Sequence, residues 1–304
     1  MSVLVHARVM DRLTRLRLRY VAERLDAVLA DAARSEPTYL DFLDSVLGQE
    51  VDAKQRTRVT MALKIAHFPA VKTLDDFEFK FQPSVDQRLV RELATARFLS
   101  QAENVLLFGA PGVGKTHLAV AVLKQVIAAT GARGMFYDTR DLLRIIRSTY
   151  DPSIRTTELE VLRPVMMADL LVLDDLGAEK TSEWVEETMN LIVNTRYNER
   201  RLTIFTSNYE DIPDDTDPNS LLFRIGHRMR SRLHEMCEFV VMDGADYREM
   251  PVNGGVDDLI TLWKTRKRSA PLPSRAGRQA RAQLREPVRD GRADLKWPGG
   301  RAGS

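Results

Sequence analysis

Cysteine is nearly absent from this chain: Cys237 stands alone, so disulfide frameworks and cysteine-based metal sites are excluded. Histidine is sparse, with His6, His67, His117, His227 and His234 spread so widely that only the last two, seven apart, lie near each other. Each reads as structural or solvated rather than as a metal ligand. No apolar run approaches the roughly eighteen residues that a membrane span requires. The opening MSVLVHARVMDRLTRLR lacks the order of charge, apolar block and small-residue cleavage site of a secretory signal. A cytoplasmic protein with no membrane contact is expected. Net charge is also small, at +2, yet it is unevenly spread. Residues 264–304 hold 12 Lys and Arg against 3 Asp and Glu, which leaves the preceding chain at −7. Its 304 residues, 44% of them hydrophobic, leave room for one large cored domain with attachments or for two modest domains.

What is present is concentrated between Asn104 and Gly131. Val105 to Phe108 is an apolar run short enough to be a buried strand, and Leu118, Val122, Leu123, Val126 and Ile127 recur at helical spacing. Gly131 stands where a left-handed helix cap is wanted. Between strand and helix, Gly109-Ala110-Pro111-Gly112-Val113-Gly114-Lys115-Thr116 fits the phosphate-loop pattern G-x-x-x-x-G-K-[ST] at every fixed position. Glycines let backbone N–H groups turn inward around a polyphosphate, and the helix N-terminus adds its positive dipole end. Lys115 can reach the β and γ phosphates, and the Thr116 hydroxyl can hold Mg²⁺. Residues Gly109 to His117 are therefore the candidate nucleotide contacts. A glycine turn that merely joins strand to helix is the bland alternative.

Further along, Leu170-Leu171-Val172-Leu173 runs into Asp174-Asp175. This predicts a buried parallel strand with acids at its C-terminal edge, where ligands sit in open α/β sheets. Asp174 is placed to hold Mg²⁺ opposite Thr116, and Asp175 to orient an attacking water. A following strand, Leu202 to Thr206, ends in Ser207-Asn208, whose amide could bond the γ-phosphate or the water. Arg228 and Arg232, on a helix predicted over 221–233, are candidates for a finger that completes a neighbour's site. A solvated basic helix face is the alternative for each.

The flanks are different in kind. A helix predicted over residues 10–30 carries Arg12, Arg15, Arg17, Arg19 and Arg24, with Arg8 just before it, and suggests a phosphate-contacting face; a solvated face is the alternative. Thr38 can cap a second helix with Asp41 three residues on, and a third basic helical stretch follows. Thus 1–70 is expected to be a small, all-helical, basic DNA- or partner-binding domain. Phe77, Phe79 and Phe81 alternate as in a strand, and one of these rings could contact adenine. A helix predicted over 84–100 leads into the phosphate loop. Strands alternating with helices over 71–250 predict a parallel sheet covered on both faces. Residues 251–304 are expected to form a basic, disordered tail, with no C-terminal helical lid.

The chain resembles the IstB-like branch of the AAA+ ATPases, transposition helpers related to the DnaC helicase loader. The resemblance covers about residues 10–250. It rests on GAPGVGKTHLA, LLVLDDLG and IFTSN, and more specifically on ALKIAHFPAVKTLDDFEF, RELATARFLSQAENVLLFG and DGADYR. It implies a P-loop NTPase of AAA+ type that uses ATP and Mg²⁺, assembles with copies of itself on double-stranded DNA and stimulates a partner transposase. By the same resemblance Lys115 and Thr116 match the Walker A pair, Asp174 the Walker B residue, Asn208 the first sensor and Arg232 the arginine finger. Asp175 falls where most AAA+ enzymes have glutamate, though aspartate suits this branch; Ser231 before Arg232, where aspartate is usual, is a departure. The alternatives are a DnaC-like helicase loader, a small-molecule kinase and a hydrolytically idle scaffold.

Overall fold

The computed structural model describes residues 3–70, 72–95, 104–250 and 255–269. Strand β1 (Asn104–Gly109) lies between two strands distant in sequence, β4 (Leu202–Ser207) and β5 (Cys237–Met242). Next to β4 runs β3 (Leu170–Asp174), and β2 (Gly134–Asp138) forms the far edge. The order is β2-β3-β4-β1-β5, with every pairing parallel. Successive residues of a strand face opposite sides, and both sides are apolar here. Val105, Leu107, Leu170, Val172 and Ile204 enter one core, while Leu106, Leu171, Leu173 and Phe205 enter the other. This double burial is why the strands read as unbroken apolar runs.

Helix α5 (Lys115–Thr130) covers the first face. The second is covered by α6 (Thr139–Ser148), α7 (Glu158–Met167), α8 (Glu183–Asn198) and α9 (Leu221–Met236). The expected α/β class, a P-loop parallel sheet clothed on both sides and preceded by helices, is the observed one. Local signals act as anticipated. Gly131 ends α5 at φ 68° and donates its N–H to Ile127 O at 2.7 Å, and Thr157 with Glu160 forms a capping box on α7.

The N-terminal helices differ from expectation. Instead of one helix over 10–30, α1 (Val3–Arg15) and α2 (Arg19–Ser35) are separated at Leu16–Leu18. Leu18 N–H closes back onto Leu13 O at 2.9 Å, with Arg17 at φ 58°. Val21 N–H, in the first turn of α2, donates to the buried Glu50 carboxylate at 2.9 Å. That partner is 29 residues away, so no local pattern announces the break. Thr38 does cap the next helix, accepting from Asp41 N–H, but α3 (Tyr39–Ile65) then runs unbroken where two helices were expected. Its end is tied to the sheet domain. Ala62 and Ala66 are buried in the first core, Phe136 N–H donates to Ala66 O at 2.8 Å, and Arg58 Nε donates to Gly131 O at 2.8 Å.

Three other expectations change. Residues 74–85 are a succession of turns, with Phe77 N–H to Leu74 O, Phe81 N–H to Glu78 O and Val85 N–H to Gln82 O, and not a strand-like piece. The helix expected over 84–100 is the short α4 (Gln87–Leu93), and residues 96–103 lie outside those described. Past Met250, where irregular chain was expected, α10 (Val256–Ser269) forms. Its Leu259 is buried with Phe81 and Ala245, and Ile260 and Trp263 pack beside them. That apolar side accounts for a helix within otherwise polar sequence. Residues 270–304, expected to be disordered, lie outside the described residues.

Candidate nucleotide site

The C-terminal ends of β1, β3 and β4 converge at a cleft of about 720 Å³. Phosphate-loop residues from Pro111 to His117 form one wall, and Asp174, Asp175 and Asn208 lie opposite. The loop's path needs its glycines: φ is +76° at Gly112 and +97° at Gly114. A Cβ on Gly112 would also lie 1.7 Å from the Asp246 carboxylate. Fully buried Val113 anchors the loop in the first core.

Lys115 is 6% exposed, and its ammonium donates to Gly109 O at 2.8 Å and Ala110 O at 2.7 Å. Two of its three N–H groups thus brace the loop and one remains for a ligand. Burial pushes its pKa down to about 8, although Asp175 and Asp174 pull the other way. Thr116 donates to both oxygens of Asp174, at 2.9 and 3.0 Å. Asp174 is 8% exposed, and burial raises its pKa against the opposing hydrogen bonds from Thr206 and Thr116.

Thr206 was not foreseen. Its hydroxyl donates to Asp174 at 2.6 Å and accepts the Asp175 N–H at 2.9 Å, linking the two acids. Its only signal was its place just before Ser207-Asn208 at the end of a predicted strand. Asp175 has φ +56°, a left-handed conformation that aspartate tolerates better than most residues. This conformation supplies a physical reason for aspartate where glutamate is usual. Asn208 donates to the Asp175 carboxylate at 2.5 Å.

The remaining candidates are distributed differently. His117 lines the cleft, but its Nε2 lies 3.1 Å from Thr73 O and its ring meets Phe77 edge-on, so it is tied to the preceding segment. Of the three phenylalanines, Phe77 and Phe81 line the cleft. So do Lys72, Tyr247 and Arg248, which had no assigned role. Within DGADYR, Tyr247 N–H donates to Gly112 O at 3.1 Å, which places that motif against the phosphate loop. Arg232 is absent from its own chain's cleft; with Arg228 it lines a groove between α8 and α9.

The family model of the IstB-like ATP binding protein matches residues 11–249. The chain belongs to that family. It is similar to a Pseudomonas aeruginosa protein named for ATP binding in insertion sequence IS21, with 35% identity over 64% of this chain and 72% of that one. A Geobacillus stearothermophilus protein, named likewise for insertion sequence IS5376, is 33% identical over 66% of this chain and 78% of its own. A crystal structure of the DnaC helicase loader is 34% identical over 51% of this IstB-like chain and 87% of the loader, with a TM-score of 0.45. Among the described residues of this family member, no helix is long and apolar enough to cross a membrane.

Proposed function

We propose that this IstB-like chain is an ATP-hydrolysing transposition helper that assembles on double-stranded DNA and stimulates a partner transposase. The observation that carries the reading is the hydrogen-bonded chain Thr116–Asp174–Thr206–Asp175–Asn208 at the foot of the phosphate loop. Lys115 and the loop N–H groups bind the phosphates. Thr116 and Asp174 are hard oxygen donors of the kind Mg²⁺ takes together with phosphates, so the pair fits that ion. Bound there, Mg²⁺ would supply charge neutralisation at the phosphates. Asp175, steadied by Asn208 and Thr206, accepts a hydrogen bond from the attacking water and orients it. Arg232, outside its own cleft, serves the site of an adjoining copy and so couples ATP binding to assembly.

Relatives named for insertion sequences support the choice of a transposase as partner. DNA contact is assigned to the N-terminal segment 1–70, where Arg8, Arg12, Arg15, Arg17, Arg19 and Arg24 are all exposed. Arg15 approaches Asp11 at 4.0 Å and Arg24 donates to the Tyr20 hydroxyl, while among the described residues the other four have no ion-pair partner. Residues 71–250 form the ATPase domain and 251–304 an accessory basic segment, all working in the cytoplasm. Sedimentation with duplex DNA, with and without ATP, combined with phosphate release in the absence of an added acceptor, tests the reading. Joint appearance of ATP-dependent assembly and phosphate release supports it. A single-copy protein with no affinity for ATP refutes it.

A further inference from the structure

On α9 the Arg232 guanidinium is held by its own chain before any neighbour arrives. It lies 4.5 Å over the Tyr197 ring, and one of its terminal nitrogens donates to Glu235 Oε2 at 2.9 Å. The other Glu235 oxygen accepts the Tyr197 hydroxyl at 2.6 Å. One carboxylate therefore joins Tyr197 on α8 to Arg232 on α9 and closes a ring of three contacts. The direction of this part of α9 is itself fixed. The helix breaks at Gly226, with φ 77°, and Thr181 donates its hydroxyl to Arg224 O at 2.8 Å just before the break.

Stacking and a single hydrogen bond engage one face and one edge of the guanidinium. A guanidinium carries five N–H donors, so most of its fork stays available, and the side chain remains 33% exposed. An arginine that is already stacked and braced loses less rotamer freedom when it meets a planar anion than one waving in solvent.

We infer that Glu235 and Tyr197 are positioning residues for Arg232, holding its guanidinium so that the free edge meets the phosphate bound by an adjoining copy. This rests on the role for Arg232 proposed above. Neither residue lines the nucleotide cleft of its own chain, and both act through the arginine. A carboxylate that instead withheld Arg232 from the neighbour would act with the opposite sign, and the experiment separates the two.

ATP turnover of the full chain on duplex DNA is measured for Glu235→Gln, Tyr197→Phe and Arg232→Ala. Glu235→Gln is expected to lower kcat by about tenfold or more, as a misplaced catalytic group does, while KM for ATP stays within about twofold. Tyr197→Phe keeps the ring under the guanidinium and loses only the hydroxyl, so its kcat should fall less. Mixing supplies the readout that a merely structural role would not move. Asp175→Asn subunits keep an intact Arg232, Tyr197 and Glu235 but hydrolyse poorly. Added to Glu235→Gln subunits, they should lend a braced arginine and restore turnover at the mixed interfaces. Unchanged or raised kcat in Glu235→Gln, or no restoration on mixing, overturns the inference. If Arg232→Ala is slow while Glu235→Gln matches wild type, the positioning role alone falls. A wild-type rate in Arg232→Ala removes the finger and its braces together.

Discussion

The Asn208 amide donates to the Asp175 carboxylate at 2.5 Å, across the gap between the ends of β4 and β3. An amide held on the acid rather than aimed into open cleft makes Asn208 a support for Asp175. The two residues should therefore fail alike. Asp175→Asn is expected to leave ATP binding intact and slow hydrolysis by about 10²- to 10⁴-fold, the usual contribution of a positioned proton-accepting group. Asn208→Ala should slow it less, because the Thr206 hydrogen bond still holds the Asp175 main chain. Single-turnover phosphate release beside a nucleotide-binding titration checks both. A wild-type rate in Asp175→Asn would remove the water-orienting role.

Thr206 joins the two acids through one hydroxyl, which donates to Asp174 and accepts from Asp175 N–H. Valine has nearly the same shape and neither hydrogen bond. Thr206→Val leaves a buried carboxylate short of a donor and a main-chain N–H without its acceptor. The expected cost is about 1–3 kcal/mol of stability, with hydrolysis reduced as Asp175 loses its anchor. Thr206→Ser keeps the hydroxyl and should lie near wild type in rate. Denaturant melts and turnover of the pair decide this, and a valine variant as stable and fast as wild type would show that the hydroxyl is not needed at 206.

The phosphate loop, the acid-tipped strand and the two-faced sheet were legible because each is written locally. Spacing at Gly112, Gly114 and Lys115 encodes a turn, and apolar runs such as Leu170–Leu173 encode burial on both sides. What escaped was set by partners far away in sequence. The break between α1 and α2 depends on Glu50 receiving Val21 N–H, and no glycine or proline marks it. A second and a third helix were expected after Thr38, yet α3 runs through both stretches as one. Phe77, Phe79 and Phe81 mimic strand alternation although four-residue turns bring two of them to the cleft. Thr206 matters only because β4 lies beside β3, a neighbour relation that the strand order creates.

Lys115 gives the site a pH dependence whose sign can be worked out. Burial holds its pKa near about 8 in the nucleotide-free protein. A polyphosphate beside it favours the charged form and raises that value. Binding therefore takes up a proton when pH is above about 8 and none well below it. Affinity for ATP should be flat from pH 6.5 to 7.5 (an assay range, roughly a unit below the lysine's titration) and then fall, by up to about tenfold per pH unit, above pH 8. Calorimetry at pH 7 and pH 9 in buffers of different ionisation enthalpy measures the proton uptake directly. Equal uptake at both values would show that Lys115 stays charged throughout.

The arginines at the α1–α2 junction decide whether the helical segment binds DNA. Arg15, Arg17 and Arg19 are exposed, one at the end of α1, one in the turn at Leu16–Leu18 and one at the start of α2. Solvated charges add little to stability, so replacing all three with alanine should leave the melting temperature nearly unchanged. Contacts to phosphate release counterions, and each one lost lowers the slope of log affinity against log salt by about 0.9. Loss of all three should thus flatten that slope by up to about 2.7, with little change in preference among duplex sequences. Duplex-binding titrations between 50 and 200 mM salt, roughly the range in which such slopes are steep, read this out. A slope equal to wild type, with the fold intact, would make these arginines an ordinary solvated face and move DNA contact to another part of the chain.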